Sequence, residues 1–266
     1  MGKIKKLSIL AVLLLAIGIA GALLTYKSGS EVRISQNKTA SDSSYKNVVI
    51  DTDNAGVEIQ PIPSGPAKAV LSGKSSDQQQ LDFTMKKEGS TLKIKVKEKQ
   101  RKFFNFDFTF TSLKLKVYIP QKPYRSLTVH NDNGLIKAKD MTADRLDLEV
   151  NNGYVDLKNI NAKNSAISAD NGRLFLDKVT GDVKATANNG EIKMIASDLE
   201  RNITLDCDNG KISIKTEKEP RNASFQVRAD NGKINILDKY QHDAVLGSGK
   251  YKIRLTTNNG SIEVKK

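Results

Sequence analysis

Apolar side chains recur at every second position through most of this chain, and one tripeptide sets the phase of the alternation. It stands at Asp132-Asn133-Gly134, Asn151-Asn152-Gly153, Asp170-Asn171-Gly172, Asn188-Asn189-Gly190, Asp208-Asn209-Gly210, Asp230-Asn231-Gly232 and Asn258-Asn259-Gly260. Two and four residues after each glycine come Ile136 and Ala138, Val155 and Leu157, Leu174 and Leu176, Ile192 and Met194, Ile212 and Ile214, Ile234 and Ile236, Ile262 and Val264. Mostly polar residues separate them, which predicts a short strand with one buried face. A second strand leads into the tripeptide, as in Leu146-Leu148-Val150, Ile203-Leu205-Cys207, Phe225-Val227-Ala229 and Ile253-Leu255-Thr257. A slip of one residue would turn every apolar side chain outward, so the register is fixed.

Successive glycines are 19, 19, 18, 20, 22 and 28 residues apart. A period near 19 is short for a helical repeat and suits one coil of a β-solenoid. Each Asn-Gly taken alone would also suit a hairpin turn, because it tolerates positive φ, but isolated hairpins leave the period unexplained. Stacked coils would align Asn133, Asn152, Asn171, Asn189, Asn209, Asn231 and Asn259 about 4.8 Å apart, where amides can bond from rung to rung. In chain order the residue before each Asn reads Asp, Asn, Asp, Asn, Asp, Asp, Asn. Carboxylates at that separation repel by about 1 kcal/mol in water. Interleaved Asn relieves this, and the near-alternation favours stacking.

Residues 1–26 read as a membrane anchor. Lys3, Lys5 and Lys6 precede an uncharged run from Leu7 to Leu24, about 27 Å long as a helix. The preceding positive charge puts the N-terminus in the cytoplasm and the remainder outside. Ala20-Gly21-Ala22 also fits a signal-peptidase site, but Leu23 and Leu24 continue the apolar run and Tyr26-Lys27 resembles an interfacial border; the anchor is the favoured reading. Residues 27–46 read as a polar linker, and 47–266 as the solenoid. Within it, 47–120 forms irregular coils, where Asp53-Asn54-Ala55-Gly56 copies the corner with one Ala inserted, and 121–266 forms regular ones. Long helices find no place after Tyr26. The one cysteine, Cys207, lies in an inward column, so a buried and inert thiol is expected rather than a disulfide or a nucleophile.

Alternating strands ending in Leu115-Lys116-Val117-Tyr118-Ile119-Pro120, then Leu127-Thr128-Val129, then serial Asn-Gly coils resemble the bacterial putative-adhesin β-strand-repeat family, a domain of unknown function. The resemblance spans about residues 47–266 and implies an all-β fold similar to a right-handed parallel β-helix. With the N-terminal segment the layout resembles the LiaG-like, membrane-anchored members, encoded with an envelope stress-response system of Gram-positive bacteria. The family brings no catalytic motif to transfer.

Asp132, Asp170 and Asp208 recur on every second coil, about 9.6 Å apart by strand spacing, near the upper end for an inverting glycosidase pair. Asp before Asn-Gly is, however, ordinary turn chemistry. Only two histidines, His130 and His242, occur, and they are far apart in sequence; no nucleotide fingerprint or zinc spacing is present. An exported carbohydrate-active enzyme is therefore the alternative and a non-enzymatic binding or scaffold module the main expectation, with no cofactor, no metal and no nucleic acid.

Two features could bind. The formal charge is +13, of which +5 precedes residue 47. A basic exported domain is drawn to anionic lipid and anionic wall polymers, although Lys93, Lys95, Lys97, Lys114 and Lys116 also suit solvated strand faces. The second is Phe103-Phe104-Asn105-Phe106-Asp107-Phe108-Thr109-Phe110, preceded by Lys99, Arg101 and Lys102. As a strand it would put Phe104, Phe106, Phe108 and Phe110 on one face, either covering the solenoid's open end or forming an apolar patch for the cytoplasmic membrane or a membrane protein. The whole reads as a single-pass cell-membrane protein with an extracytoplasmic solenoid, serving envelope maintenance or stress response.

Overall fold

The computed structural model describes residues 2–25, 31–76, 79–100 and 112–266. One helix, α1 (Gly2–Thr25), precedes strands only: β1 (Glu31–Thr39), β2 (Asn47–Thr52), β3 (Ala55–Ile62), β4 (Lys68–Ser76), β5 (Gln79–Glu88), β6 (Thr91–Gln100), β7 (Ser112–Pro120), β8 (Pro123–Ala196), β9 (Ile203–Thr216), β10 (Ala223–Asn231), β11 (Ile234–Ile236), β12 (Ala244–Val245) and β13 (Tyr251–Lys265). The 74 residues of β8 stack on themselves: Asn152 donates to Asn133 at 3.0 Å and Asn171 to Asn152 at 2.9 Å. The chain is thus an all-β, solenoid-like stack.

Period-two patterning builds the core. Ile136, Val155, Leu174, Ile192, Ile212 and Ile262 form one inward column, and Leu127, Leu146, Val183, Ile203 and Ile253 contribute to another; all are buried. Burying one such side chain contributes about 1.5–3 kcal/mol, and repetition of the same apolar position holds the coils together without a disulfide. The irregular N-terminal coil joins this stack in parallel: Val48 is in register with Leu92 on one side and Leu127 on the other, and Val57 with Leu115 and Ile136. Antiparallel strands close that end, β1 on β4, β4 on β7 and β5 on β6. Such pairings change the edge of a parallel stack and leave fewer places for another chain to add.

At the other end chain-order stacking is overturned. Strand β13 lies between β9 and β10, with Asn259 in register with Asn209 on one side and Asn231 on the other. The column preceding the asparagines therefore runs Asp132, Asn151, Asp170, Asn188, Asp208, Asn258, Asp230, a strict alternation. Each neutral amide serves an acid: Asn151 donates to Asp132 at 3.0 Å, Asn188 to Asp170 at 3.1 Å and Asn258 to Asp208 at 3.3 Å. Chain order would have set Asp208 against Asp230 with no donor between them. Lys211 of β9 also bonds Glu263 of β13 at 2.8 Å, and with Lys265 it holds that carboxyl down at about 2.

α1 exposes Val12, Leu13, Leu14, Leu15, Ile17 and Ile19. Among the described residues no helix is long and apolar enough to cross a membrane.

Candidate functional site

The tripeptide column is the most regular surface feature. Beyond the bonds already given, Asn133 donates to Asn54 at 2.7 Å, Asn189 to Asn171 at 2.9 Å, Asn209 to Asn189 at 3.1 Å, Asn259 to Asn209 at 2.9 Å and Asn231 to Asn259 at 3.0 Å. One amide chain thus runs from Asn54 to Asn231, each oxygen accepting from the next rung.

Its glycines meet the expected positive-φ corner only in part. Gly134, Gly153, Gly190 and Gly210 have positive φ, but Gly172, Gly232 and Gly260 lie outside the left-handed region. The shared constraint is close approach. A Cβ on Gly153, Gly172, Gly190, Gly210 or Gly260 would lie 1.6–1.8 Å from the carbonyl oxygen of the glycine one rung below, far inside van der Waals contact. Left-handed side chains instead mark a different corner, at Asp140, Asn159 and Lys178 with φ of 54°, 53° and 56°, where Asn159 donates to Asp140 at 2.9 Å. Asp140 and Asn159 stand 19 residues apart and both types tolerate this conformation, the one sequence signal that could have located the corner.

The residues considered for catalysis are placed as follows. Asp132, Asp170 and Asp208 each accept an amide N–H from the next rung. His130 lies 3.0 Å from exposed Glu149, and His242 lies beside its neighbour's carbonyl, so the two do not meet. Cys207 is buried, its thiol pushed up to about 11 by burial. Among the described residues no group of three or more His, Cys, Asp and Glu could hold a metal ion.

The Phe103–Phe110 segment, with Arg101 and Lys102, lies outside the described residues; Lys99 is placed in β6 by its backbone alone, in register with Gln80. Several alternating lysines are committed. Lys93 pairs with Glu88 at 2.5 Å, Lys97 with Asp51 and Asp53 at 2.7 Å each, and Lys114 with Glu58 at 2.7 Å. Such cross-strand pairing suits a solvated strand face more than a polyanion site.

A different surface was not singled out by sequence. At the corner leading into the Leu127, Leu146, Val183 and Ile203 strands, Asn47, Ser126, Arg145, Asn164, Asp182 and Asn202 follow one another up the stack. Ser126 donates to Asn47 at 3.0 Å, and Asn202 donates to Asp182 through its backbone N–H at 3.2 Å and its amide at 3.1 Å. Two hollows of about 320 and 460 Å³ open along this corner and share Arg145 and Asn164. The larger is lined by Leu146, Ser165, Ala166 and Val183 as well as by polar residues, and Ser165 stands in the inward column where neighbouring rungs carry Leu146 and Val183. Ser165 is only 4% exposed, and its hydroxyl has no hydrogen-bond partner among the described residues.

A family model described as Toastrack DUF4097 matches residues 45–177 and again 134–265. The chain belongs to the Toastrack family. Two overlapping matches suit a chain that repeats the same unit, and the family is the one whose members are described as putative adhesins, with no function established for the domain. Among solved structures, a putative adhesin from Bacteroides fragilis is similar at 16% identity, covering 90% of this chain and 100% of its own, with a TM-score of 0.44. A putative cell adhesion protein from Clostridium sporogenes shows 11% identity, coverage of 88% and 99%, and a TM-score of 0.42. A putative lipid binding protein from Parabacteroides distasonis shows 14% identity, coverage of 87% and 97%, and a TM-score of 0.37. Comparison with curated proteins gives no significant match.

Proposed function

We propose that this Toastrack protein is a membrane-anchored, extracytoplasmic binding and scaffold module of the cell envelope, working by recognition rather than catalysis. The observation that carries the reading is the join of an apolar helix to a stack held rigid by buried columns and an amide chain. The proposed partners are the cytoplasmic membrane and an anionic wall polymer or a membrane protein. The described side chains of α1 alone do not make a spanning run, so the anchor rests on the sequence from Leu7 to Leu24. Those uncharged residues follow three lysines and reach about 27 Å as a helix. Lysines ahead of the run favour a cytoplasmic N-terminus. Phe104, Phe106, Phe108 and Phe110, with Lys99, Arg101 and Lys102, are the proposed contacts to the membrane surface or a membrane partner. Engagement of the Asp132, Asp170 and Asp208 carboxylates by asparagine amides supports binding over glycoside hydrolysis. A role in envelope maintenance or stress response belongs to the same proposal.

Topology tests it. The full-length chain is expected to stay with membranes through high-salt and carbonate washing, while protease added to intact protoplasts removes the β domain. Release of a soluble form beginning at Leu23 would replace the anchor with a cleaved signal.

A further inference from the structure

The two hollows at the strand-entry corner form one groove running up the stack across the rows of Ser126, Arg145, Asn164 and Asp182. Three rung spacings, about 14 Å, separate the rows of Ser126 and Asp182, and the lining continues one row further on each side, to Asn47 and to Asn202 with Thr204. Its polar groups are unusually uncommitted. Arg125 and Lys184 make no ion pair among the described residues, the Asn164 amide and the Thr204 hydroxyl make no hydrogen bond there, and Ser165 holds a buried hydroxyl without a partner.

The remaining cations are already neutralised within the protein: Arg145 by Asp147 at 2.9 Å and Lys163 by Asp144 at 2.7 Å. Asp182 is occupied by Asn202 but keeps lone pairs that can accept from a hydroxyl. The free cations therefore stand three rungs apart, with the Asn164 amide on a rung between them and the Thr204 hydroxyl one rung beyond Lys184. That sequence of groups fits a strand bearing acidic groups at intervals and hydroxyls between. The rung spacing of about 4.8 Å is also close to the length of one pyranose ring, so an extended glycan laid along the stack would present one sugar per coil.

We propose that this groove binds an extended anionic glycan, with Arg125 and Lys184 meeting its acidic groups and Asn164 and Thr204 its hydroxyls. The inference rests on the binding-module reading and gives it a site and a ligand class.

The full-length chain in detergent is titrated with polygalacturonate, with dextran as the neutral control and phosphatidylglycerol vesicles as the headgroup control. The wild type is expected to bind polygalacturonate, more weakly as salt rises, and not dextran. Arg125→Gln combined with Lys184→Gln should weaken that binding by at least about tenfold, since each removes a charge-assisted hydrogen bond. Ala166→Phe, which fills the hollow from an outward strand position, should weaken it comparably with no change in melting temperature. Binding that both variants leave unchanged overturns the groove while leaving a binding module intact. No binding of polygalacturonate at all, or binding of vesicles alone, overturns the glycan. Topology is read separately by the protoplast experiment, so a failed anchor and a failed groove give different results.

Discussion

A methyl group on Gly172 would sit 1.8 Å from the carbonyl oxygen of Gly153. The backbone there has an allowed φ for any residue, so the cost of Gly172→Ala is steric and forces adjacent rungs apart. Overpacking of this kind costs about 1–3 kcal/mol. Asn171→Ala removes one amide donor and one acceptor from an exposed column and should cost less, about 0.5–1.5 kcal/mol. Urea midpoints of the two variants test the order. A Gly172→Ala protein as stable as the parent would show that the rungs are not in backbone contact. The repeated tripeptide made these residues visible in the sequence, but not why glycine is needed. Asn-Gly usually announces a positive-φ turn, which four of the seven glycines keep, and here it also marks where two backbones touch. The corner that does require a left-handed residue uses Lys178 as readily as Asn159, so residue type leaves only a partial trace of it.

Among the elements, β13 is the one whose place chain order does not give. Its position between β9 and β10 makes Asn258 the single neutral residue between Asp208 and Asp230. Asn258→Asp would create three consecutive carboxylates, each neighbouring pair repelling by about 1 kcal/mol in water. Repulsion raises the folded-state pKa of the new carboxyl, so the variant's deficit against wild type should be full at pH 7 and shrink as pH falls into the carboxylate range. Adding Asp208→Asn should recover part of the loss at pH 7. If β10 were instead stacked directly on β9, Asp208 would not neighbour position 258, and that second change would bring no relief. Denaturant titrations of the two variants at pH 7 and pH 4 decide between the arrangements. The alternation of Asp and Asn did contain this answer, since the single break in chain order, Asp208 followed by Asp230, disappears when the last two rungs are exchanged.

For the molecule as a whole, the period of two in the apolar positions and the period near 19 in the tripeptides were enough to read an all-β stack. They act through burial and register, which depend little on the identity of any one side chain. The ends and the groove were not legible. Antiparallel closure by β1, β4, β5 and β6 follows no repeat, and Arg125, Asn164, Ser165, Lys184 and Thr204 share neither spacing nor type until stacking brings them together. The place of β13 also has a consequence in time. β10 leaves the ribosome first, yet among the described residues β13 is the only strand that pairs with it in parallel, and β12 adds just two antiparallel pairs at Ser224 and Phe225. Assembly in chain order must therefore pause at β9, with β10 held only by its short β12 contact, until β13 slides in between β9 and β10. A chain stopped before Tyr251 should keep slow amide exchange in β9 and lose it throughout β10, as measured by hydrogen–deuterium exchange; protection of β10 in that shortened chain would mean that it docks unaided. The stack thus grows here by insertion between two rungs made earlier rather than by addition at its end.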